Sequence, residues 1–299
     1  MNPSRKSQQL EPPMLADYAA FVAQHAPRFK PLPLPQGQPL LSIVTVCRNA
    51  AKTLPATIAS VKAQTYPWIE HIVIDGASTD GTQDLFTQPN HVARWVSEPD
   101  QGISDAFNKG IALARGHYIG ILNSDDIWAA ETAALSVAAL EAHPQAAWSF
   151  GACDFTLDGR LVLHRDGDEH YARTIHRWMP CLNHPTVIVR RTIYEQHGLF
   201  RLNRRIAMDY DLLLRFHRAG LKGLCLPHTM ARMALGGISS GPRIIEAFRE
   251  ASEISIEHGR PRFSAYLDRW RCTALPWARL IAIQLRLNKP WRALRQWRR

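Results

Sequence analysis

Two adjacent acids, Asp125 and Asp126, come directly after an apolar run that is typical of a buried strand. The stretch reads YIGILNSDDIW over residues 118–128. Hard divalent cations such as Mg²⁺ and Mn²⁺ take oxygen ligands, and Mg²⁺ commonly uses one or two carboxylates together with phosphate oxygens. The pair therefore indicates either a cation that arrives with a phosphorylated ligand or a solvated turn that begins the next helix.

Polar residues also follow three earlier strand-like runs. These strand ends carry Arg48–Asn49, Asp75–Gly76 and Glu98–Pro99–Asp100. In parallel α/β sheets, ligands bind beyond the carboxyl ends of the strands. Four polar strand ends in succession therefore predict one binding site along one edge of a sheet.

Strand-like and helix-like runs alternate from Leu40 to about residue 144. LLSIVTVC (40–47) has the apolar, β-branched composition of a strand, and TLPATIASVKAQ (53–64) repeats apolar residues at helical spacing. EHIVIDGAS (70–78) is strand-like again. This alternation predicts an α/β layer sandwich with a largely parallel sheet.

The second half of the chain is less regular. Residues 148–164 predict two strands joined by a turn, and residues 184–198 predict a strand that leads into a helix. MDYDLLLRFHRAG (208–220) predicts a helix with Asp209 and Asp211 in its first turn. Acids at that position interact favourably with the helix dipole, so their presence alone does not indicate chemistry.

Composition divides the chain into three parts. Residues 1–39 hold eight of the twenty prolines, which predicts a loosely held N-terminal arm. Residues 40–241 hold the alternating elements and end in the glycine-rich GGISSG (236–241), which is either a lid over a ligand or a surface loop. Residues 242–299 are predicted to be a basic, tryptophan-rich, helical C-terminal extension.

The net charge of +10 belongs to the last forty residues. Residues 260–299 carry eleven Lys or Arg and one acid, so residues 1–259 balance at 25 basic and 25 acidic residues. The tail also has four tryptophans and apolar residues at helical spacing, which is the composition of a helix in an anionic membrane interface. The alternative is a helix packed on the body with solvated arginines, and the neutral body disfavours nucleic acid as a partner.

Cysteine usage and hydropathy bear on the compartment. The five cysteines lie far apart without a Cys-x-x-Cys pair. No segment reaches the roughly 18 uncharged apolar residues that a membrane span requires. These features predict a cytoplasmic protein, and the tail favours a peripheral position on the inner face of the cell membrane.

Three nucleotide and metal motifs are absent from the sequence. There is no Gly-x-x-x-x-Gly-Lys-Ser/Thr loop, no Gly-x-Gly-x-x-Gly after the first strand and no His-Glu-x-x-His. This disfavours P-loop NTPases, dinucleotide-binding folds and zinc proteases. The residues favour a phosphate-containing ligand that is held by a metal and by polar groups at the strand ends.

Three stretches together resemble the inverting family-2 glycosyltransferases with the GT-A fold. They are SIVTVCRNAAKTLPATIASVKAQTYPWIEHIVIDGASTDGT, EPDQGISDAFNKGIALARGHYIGILNSDD and AMDYDLLLR, in the order and spacing of that family. The likeness covers residues 40–241, and DQGISDAFNKG is similar to the bacterial branch that builds polysaccharides and glycolipids. It implies a GT-A-type three-layer α/β/α sandwich that transfers a sugar from a nucleotide sugar to a hydroxyl of a glycan or lipid-linked acceptor.

The resemblance also implies roles for individual residues. Asp209 matches the family's catalytic base, and Asp126 matches the ligand of Mg²⁺ or Mn²⁺. Contacts to the nucleotide sugar are implied for a further set of residues, which is Thr45, Arg48, Asn49, Asp75, Asp105, Asn108, Lys109 and Asp125. His184, in the stretch NHPTV, is either a residue of the acceptor pocket or a structural histidine.

Two positions depart from the family pattern, and two other functions stay open. Gly76 stands where many members carry a second acid, and Arg201 stands where an acid is usual. A nucleotidyltransferase would share the sheet, the acids and the cation, but it normally carries a basic, Gly-rich loop where this chain has VCRNAAKTL. A non-catalytic membrane or nucleic-acid adaptor that keeps the fold would tolerate substitution of Asp126 and Asp209.

Overall fold

The computed structural model describes residues 11–29, 37–87, 91–177, 182–235 and 243–270. The strands in this part of the chain are β1 (Leu41–Cys47), β2 (Ile69–Asp75), β3 (Val92–Ser97), β4 (Tyr118–Ile121), β5 (Ile127–Trp128), β6 (Ala146–Leu157), β7 (Arg160–Arg165), β8 (Ile188–Arg190) and β9 (Lys222–Ala234). They form one sheet in the order β3-β2-β1-β4-β8-β6-β9-β5, and β7 pairs with β6.

The helices lie between these strands and at both ends of the described chain. They are α1 (Ala19–His25), α2 (Leu54–Lys62), α3 (Asp84–Thr87), α4 (Ile103–Leu113), α5 (Thr132–Ala142), α6 (Arg191–His197), α7 (Met208–Arg218) and α8 (Ile244–Glu257). Residues 262–270 are also helical. The prediction of a helical C-terminal extension therefore holds for this part. Residues 271–299 and the segment 236–241, for which a lid and a surface loop are the alternatives, lie outside the described residues.

The first four strands of the sheet order run parallel. β1 pairs with β2 and with β4, and β2 pairs with β3. The apolar residues of β1 and β4 are fully buried, as parallel strands with helices on both faces require. The register sets Cys47 beside Asp75, and Asp75 beside Ser97. The predicted α/β fold with its parallel strands is confirmed, and the carboxyl ends of these strands share one edge.

Side chains of β1 alternate between two packed layers. Val44 lies in one core with Phe107 of α4 and Leu213 of α7. Ile43 lies in a second core, which contains Leu140 of α5. Successive residues of a strand point to opposite faces of the sheet, so one apolar run can fill both cores. The helices that carry the polar site residues are thereby fixed against the strands.

The later strands extend the sheet in mixed directions. β8 runs antiparallel to β4 and β6, and β9 runs parallel to β6 and antiparallel to β5. β5 contains only two residues, and it pairs Ile127 with Arg232 of β9. The sequence analysis did not predict this short strand. Its pairing fixes the chain immediately after Asp126, so the second half of the protein positions that acid.

The described part of the N-terminal segment packs on the body. The Tyr18 hydroxyl donates to Asp105 Oδ1 at 3.0 Å, and His25 Nε2 lies 3.0 Å from Glu98 Oε2. The Leu199 N–H donates to the carbonyl of Pro13 at 2.8 Å. The expectation of a loosely held arm does not hold for residues 11–29, because Tyr18 and His25 are buried against the body.

A buried chain of hydrogen bonds joins β1 to β2. Thr45 Oγ1 lies 3.0 Å from His71 Nε2, and His71 Nδ1 lies 3.1 Å from His91 Nε2. Burial, together with the nearby His91, lowers the pKa of His71 to about 3. His71 is therefore neutral in the folded protein across the physiological range.

We expect His71 to make the protein less stable in mild acid. The unfolded chain binds a proton at His71 below about pH 6.5, whereas the folded protein does so only near pH 3. Neutral His71 makes its full contribution to the free energy of unfolding above about pH 6.5, and this contribution is lost as the pH falls below that value. Between neutral pH and pH 5 the free energy of unfolding decreases by about 2 kcal/mol. Urea unfolding at both pH values should show a smaller difference for His71→Gln than for the wild type. The exposed His143→Gln should leave the difference unchanged, and an unchanged difference in His71→Gln would contradict the assignment.

Candidate active site

Asp75 lies in the middle of the row of strand ends. Its side chain is fully buried, and it accepts hydrogen bonds from Ser97 Oγ at 2.6 Å and from the Ser78 N–H at 3.0 Å. The Cys47 thiol donates to the same carboxylate at 3.5 Å. These donors come from β1, from β3 and from the turn after β2, so Asp75 is held in one orientation by three separate segments.

The loop after β1 is locked to the loop after β2. Asn49 has a left-handed backbone with φ 52°, a conformation that asparagine tolerates better than most residues. Its N–H donates to Ser78 Oγ at 2.7 Å, and its Oδ1 accepts from the Thr79 N–H at 2.9 Å. Arg48 is exposed beside these loops. The structure thus brings Arg48, Asn49 and Asp75 together, and their contact with a nucleotide sugar remains a prediction.

Gly76 leaves space for the carboxylate of Asp100. A Cβ atom at position 76 would lie 2.5 Å from Asp100 Oδ2 and 3.5 Å from Arg48 Cδ. An acid in place of Gly76 would therefore exclude the present position of Asp100. The sequence analysis noted the missing second acid but did not name Asp100 as a site residue. The available signal was that neither acid of the EPDQG segment, Glu98 or Asp100, had an individual role assigned to it.

Asp125 and Asp126 lie between β4 and β5 at the same edge. Asp126 is only 1% exposed, and its carboxylate accepts from Asn123 Nδ2 at 3.2 Å and from the Ala234 N–H at 3.4 Å. Burial, reinforced by the neighbouring Asp125 carboxylate, raises the pKa of Asp126 well above its usual value. Burial also raises the pKa of Asp125. The local environment therefore opposes two negative charges unless a cation offsets them.

The donor set at these acids fits a hard divalent cation. Two carboxylates stand beside Asn123, whose buried Oδ1 has no hydrogen-bond partner among the described residues. Carboxylate and amide oxygens are ligands that Mg²⁺ and Mn²⁺ accept. No group of three or more His, Cys, Asp or Glu side chains with metal-binding geometry occurs in the described part of the chain. Protein ligands alone are thus too few, and ligand phosphates or water would have to complete the shell.

Four of the predicted donor contacts instead carry packing interactions. Asp105, Asn108 and Lys109 are buried on α4, and Thr45 is buried next to His71. Asn108 binds both the N–H and the carbonyl of Phe200, at 2.9 and 2.8 Å. Like Asp75, these side chains are buried, whereas Arg48 and Asn49 are exposed at the loop after β1. Their contact with a donor remains a prediction.

Lys109 and Asp105 belong to a buried ionic cluster. Lys109 Nζ lies 2.7 Å from Glu98 Oε1 and 3.4 Å from Asp105 Oδ2. Asp105 also accepts from the Tyr18 hydroxyl. Helix α4 is thus joined to β3 and to the N-terminal segment. Sequence reasoning missed Tyr18 because its partners are 87 and 90 residues away along the chain.

Asp209 and His184 line one narrow cavity beneath the end of β4. Ile121, the last residue of β4, lines the same cavity, and so does Leu213 of α7. His184 Nε2 has no hydrogen-bond partner among the residues that the structure describes. Burial raises the pKa of Asp209 although His184 opposes the shift, and burial lowers the pKa of His184 although Asp209 opposes that shift. The cavity therefore contains a carboxylate of raised basicity beside a neutral imidazole.

The N-terminus of α7 is capped by an acid from α8. Glu250 accepts the backbone N–H groups of Arg205, Ile206 and Ala207 at 2.8, 2.7 and 2.6 Å. A carboxylate at this position also interacts favourably with the helix dipole. Asp209 lies two residues later, so Glu250 determines where the first turn of α7 begins. Sequence reasoning missed Glu250, because capping by a residue from another helix leaves no local pattern.

Asp211 has a structural role. It is fully buried and lies 3.1 Å from both Arg201 and Arg215. Burial opposes its ionisation, but the nearby His258, at 3.8 Å, and the nearby arginines hold its pKa below the usual value. Arg201, which replaces the acid usual in the family, is thus a partner of Asp211.

Two solved structures of known proteins resemble the fold of this chain. The mannosyltransferase PcManGT from Pyrobaculum calidifontis, in complex with GDP-Man and Mn²⁺, aligns with a TM-score of 0.61 and 21% identity over 89% of this chain and 86% of that chain. TarS from S. aureus aligns with a TM-score of 0.59 and 17% identity, over 78% of this chain but only 44% of its own length. These likenesses define the fold as a GT-A-type α/β glycosyltransferase fold.

Sequence comparison then gives the family. Residues 42–205 match the family model of glycosyl transferase family 2. A PGL/p-HBAD biosynthesis glycosyltransferase from Mycobacterium bovis is 30% identical over 187 residues, which cover 59% of this chain and 69% of the relative. The chain belongs to glycosyl transferase family 2, and it is a glycosyltransferase. The suspected family is confirmed, and family membership disfavours the nucleotidyltransferase alternative.

We expect Asp211→Asn to destabilise the protein strongly. The substitution removes the carboxylate of a buried ionic cluster and leaves Arg215, whose side chain is only 9% exposed, without its charge partner, which typically costs about 3–5 kcal/mol. Urea unfolding monitored by fluorescence measures the loss. Glu253→Gln removes the exposed i,i+4 pair with Arg249 and should change stability by less than about 0.5 kcal/mol. Equal effects of the two variants would rule out the structural role of Asp211.

Proposed function

We propose that the protein is an inverting, metal-assisted glycosyltransferase. It moves a sugar from a nucleotide-sugar donor to a hydroxyl group of a glycan or lipid-linked acceptor, and Asp209 acts as the general base. The observation that carries this proposal is the position of Asp209, in the first turn of α7, in a cavity that reaches the end of β4. The acids that follow β4 lie at the same edge, so a base and a phosphate-binding region belong to one site.

The reaction would be a single displacement. The acceptor oxygen attacks the anomeric carbon from the face opposite the leaving group, and the bond from that carbon to the diphosphate oxygen breaks. The acceptor proton goes to the Asp209 carboxylate. Burial raises the pKa of Asp209, which strengthens it as a proton acceptor. Among the described residues, Asp209 is the only carboxylate that lines the cavity. His184 lies in the same cavity, and we assign it to the acceptor side.

The nucleoside diphosphate would lie over the strand ends. Asp75 joins the ends of β1, β2 and β3 through its hydrogen bonds. The exposed Arg48 and the carboxylate of Asp100 border the space above Gly76. Asp126 would hold Mg²⁺ or Mn²⁺, which would offset the negative charge that develops on the leaving diphosphate, and Asp125 would contact the nucleotide sugar. The complex of PcManGT with GDP-Man and Mn²⁺ supports this assignment. Thr45, Asn49, Asp105, Asn108 and Lys109 would act mainly by fixing the loops and helix around the donor.

The acceptor proposal rests on relatives. The mycobacterial relative is named for PGL/p-HBAD biosynthesis, and a Bacillus subtilis relative that is 36% identical over 95 residues is named as a putative teichuronic acid biosynthesis glycosyltransferase. Both names describe glycosyltransferases of biosynthetic pathways. A role in polysaccharide or glycolipid biosynthesis is therefore the proposal for this chain.

The location proposed for the enzyme is the cytoplasmic face of the membrane. Within the described residues, no helix has the length and apolar character needed to cross a bilayer. The tail over residues 260–299 has the charge and tryptophan content of a peripheral anchor. A lipid-linked acceptor would be presented at such a surface.

Asp209→Asn should lower turnover about 10²–10⁴-fold, which is the usual contribution of a general base. Asparagine keeps the oxygen that accepts the Tyr210 N–H at 2.8 Å, so thermal stability should be unchanged. Donor binding should also be unchanged, because Asp209 lies in the cavity beneath β4 and not at the loops around Gly76. Turnover is measured by release of nucleoside diphosphate with acceptor present. Wild-type turnover in this variant would eliminate Asp209 as the base.

A nucleotide-sugar donor should stabilise the wild type only when Mn²⁺ is present. At a donor concentration of 100 Kd the expected gain is about 2.7 kcal/mol, measured as a thermal shift across a panel of nucleotide sugars. Asp126→Asn should abolish the shift without lowering the melting temperature of the free protein, because the amide resembles the protonated acid that burial favours. Asp166→Asn removes an acid that is 90% exposed and should retain the full shift. A metal-independent shift, or a normal shift in Asp126→Asn, would refute the metal assignment.

A further inference from the structure

The helix over residues 262–270 presents large apolar side chains to solvent. Phe263 is 79% exposed and Trp270 is 61% exposed, and Tyr266 and Leu267 are also exposed. These residues follow the spacing i, i+3, i+4 and i+7, so they form one stripe along the helix. We call this set of four residues the apolar stripe.

The apolar stripe faces away from the body of the protein. Ala265 is fully buried and marks the side of the helix that packs on the body. At 100° per residue, Ala265 points nearly opposite to the centre of the stripe. The exposure of the stripe is therefore a property of the folded domain, because reversing it would expose the packed side.

A cationic cavity lies beside the stripe. It has a volume of about 520 Å³, and Leu267 of the stripe forms part of its wall. Arg177 and Arg218 line it and are exposed, and no ion pair involves either of them among the described residues. The acid in the wall, Asp268, is already paired with Arg260. The cavity therefore offers uncompensated positive charge next to an apolar surface.

This cavity is separate from the candidate active site. Its walls come from the C-terminal ends of α7 and α8, from the loop before residue 178 and from the helix over residues 262–270. Asp209 and His184 do not line it. Neither the mechanism nor the donor site uses these arginines.

We propose that the apolar stripe and the cationic cavity together form a membrane-docking surface for an anionic lipid bilayer. The stripe enters the acyl boundary of one leaflet, and Arg177 and Arg218 bind the phosphates of lipid headgroups. An anionic bilayer offers apolar and negatively charged regions side by side, which matches the arrangement of this surface. The inference builds on the proposed membrane location and assigns part of the contact to the folded body.

Electrostatics favours an anionic bilayer over the chain's own C-terminal segment as the partner of this docking surface. Residues 271–299 contain eight Lys or Arg and no acid. The cationic cavity repels such a segment, whereas both are attracted to anionic lipid. A second copy of the protein would likewise bring a cationic surface against a cationic surface. The C-terminal tail and the docking surface would therefore both bind anionic lipid.

Co-sedimentation of the full chain with vesicles tests the proposal. The probes are vesicles of phosphatidylglycerol with phosphatidylcholine and vesicles of phosphatidylcholine alone. Arg177→Gln combined with Arg218→Gln should weaken binding to the anionic vesicles about thirtyfold, the effect of two basic residues near an anionic surface. Phe263→Ser should weaken it about tenfold through loss of apolar burial. The matched controls Arg160→Gln and Leu161→Ser alter exposed residues of β7 and should bind as the wild type does.

Four outcomes would overturn the proposal. They are equal binding of the wild type to both vesicle types, wild-type affinity in the docking variants, release from the vesicles by millimolar glycerol phosphate, and a dimer in solution that Phe263→Ser dissociates. The second outcome would leave the tail as the sole anchor, the third would indicate a site for small phosphates, and the fourth an interface between copies. Donor hydrolysis without vesicles should be unchanged in every variant, so its loss would concern the proposed catalytic function and not the docking surface.

Discussion

The capping of α7 by Glu250 is the contact on which the geometry of the active site depends. Three backbone N–H groups before the helix converge on this one carboxylate. Such groups have no partner within the helix, so their satisfaction by α8 fixes where α7 starts and how it is rotated. The position of Asp209, which lies in the first turn of α7, therefore depends on this contact. Helix α8 is thus required for the site although it contributes no side chain to the cavity.

Two acids of α7 show how environment separates structure from chemistry. Asp209 and Asp211 are two residues apart, so they point to different sides of the helix. Asp211 points toward Arg201, Arg215 and His258, which favour its charged form over the opposing effect of burial. Asp209 points into a cavity that it shares with a neutral histidine and no cationic side chain of the described residues, and its pKa is raised. A carboxylate with many cationic partners stabilises the fold, whereas one with few partners is available to accept a proton.

The sequence predicted the local features well because hydrophobic periodicity determines them. The strands from residue 41 to 121 and the helices between them follow from runs with a period of two or 3.6 residues. The polar strand ends also followed, since parallel strands align their carboxyl ends. What could not be predicted depends on contacts between distant segments. Tyr18 on Asp105, Glu250 on the start of α7 and Asp100 above Gly76 each join parts of the chain that no local pattern connects.

The buried polar residues of α4 show the same limit within the site itself. The motif DQGISDAFNKG suggested donor contacts, but a motif does not specify the direction in which its side chains point. Asp105, Asn108 and Lys109 point toward the N-terminal segment, Phe200 and Glu98. These contacts keep α4 in place, and composition and spacing alone cannot distinguish such a role from direct contact with a donor.

Helix α7 also relates the proposed catalytic base to the proposed membrane contact. Asp209 lies in its first turn, and Arg218, its last residue, lines the cationic cavity. Nine residues at 1.5 Å each separate them by about 14 Å along the helix axis. Both residues belong to one continuous helix, so this separation is fixed. Under the two proposals, docking would therefore keep the base and the headgroup-binding Arg218 at a constant separation along the axis of α7.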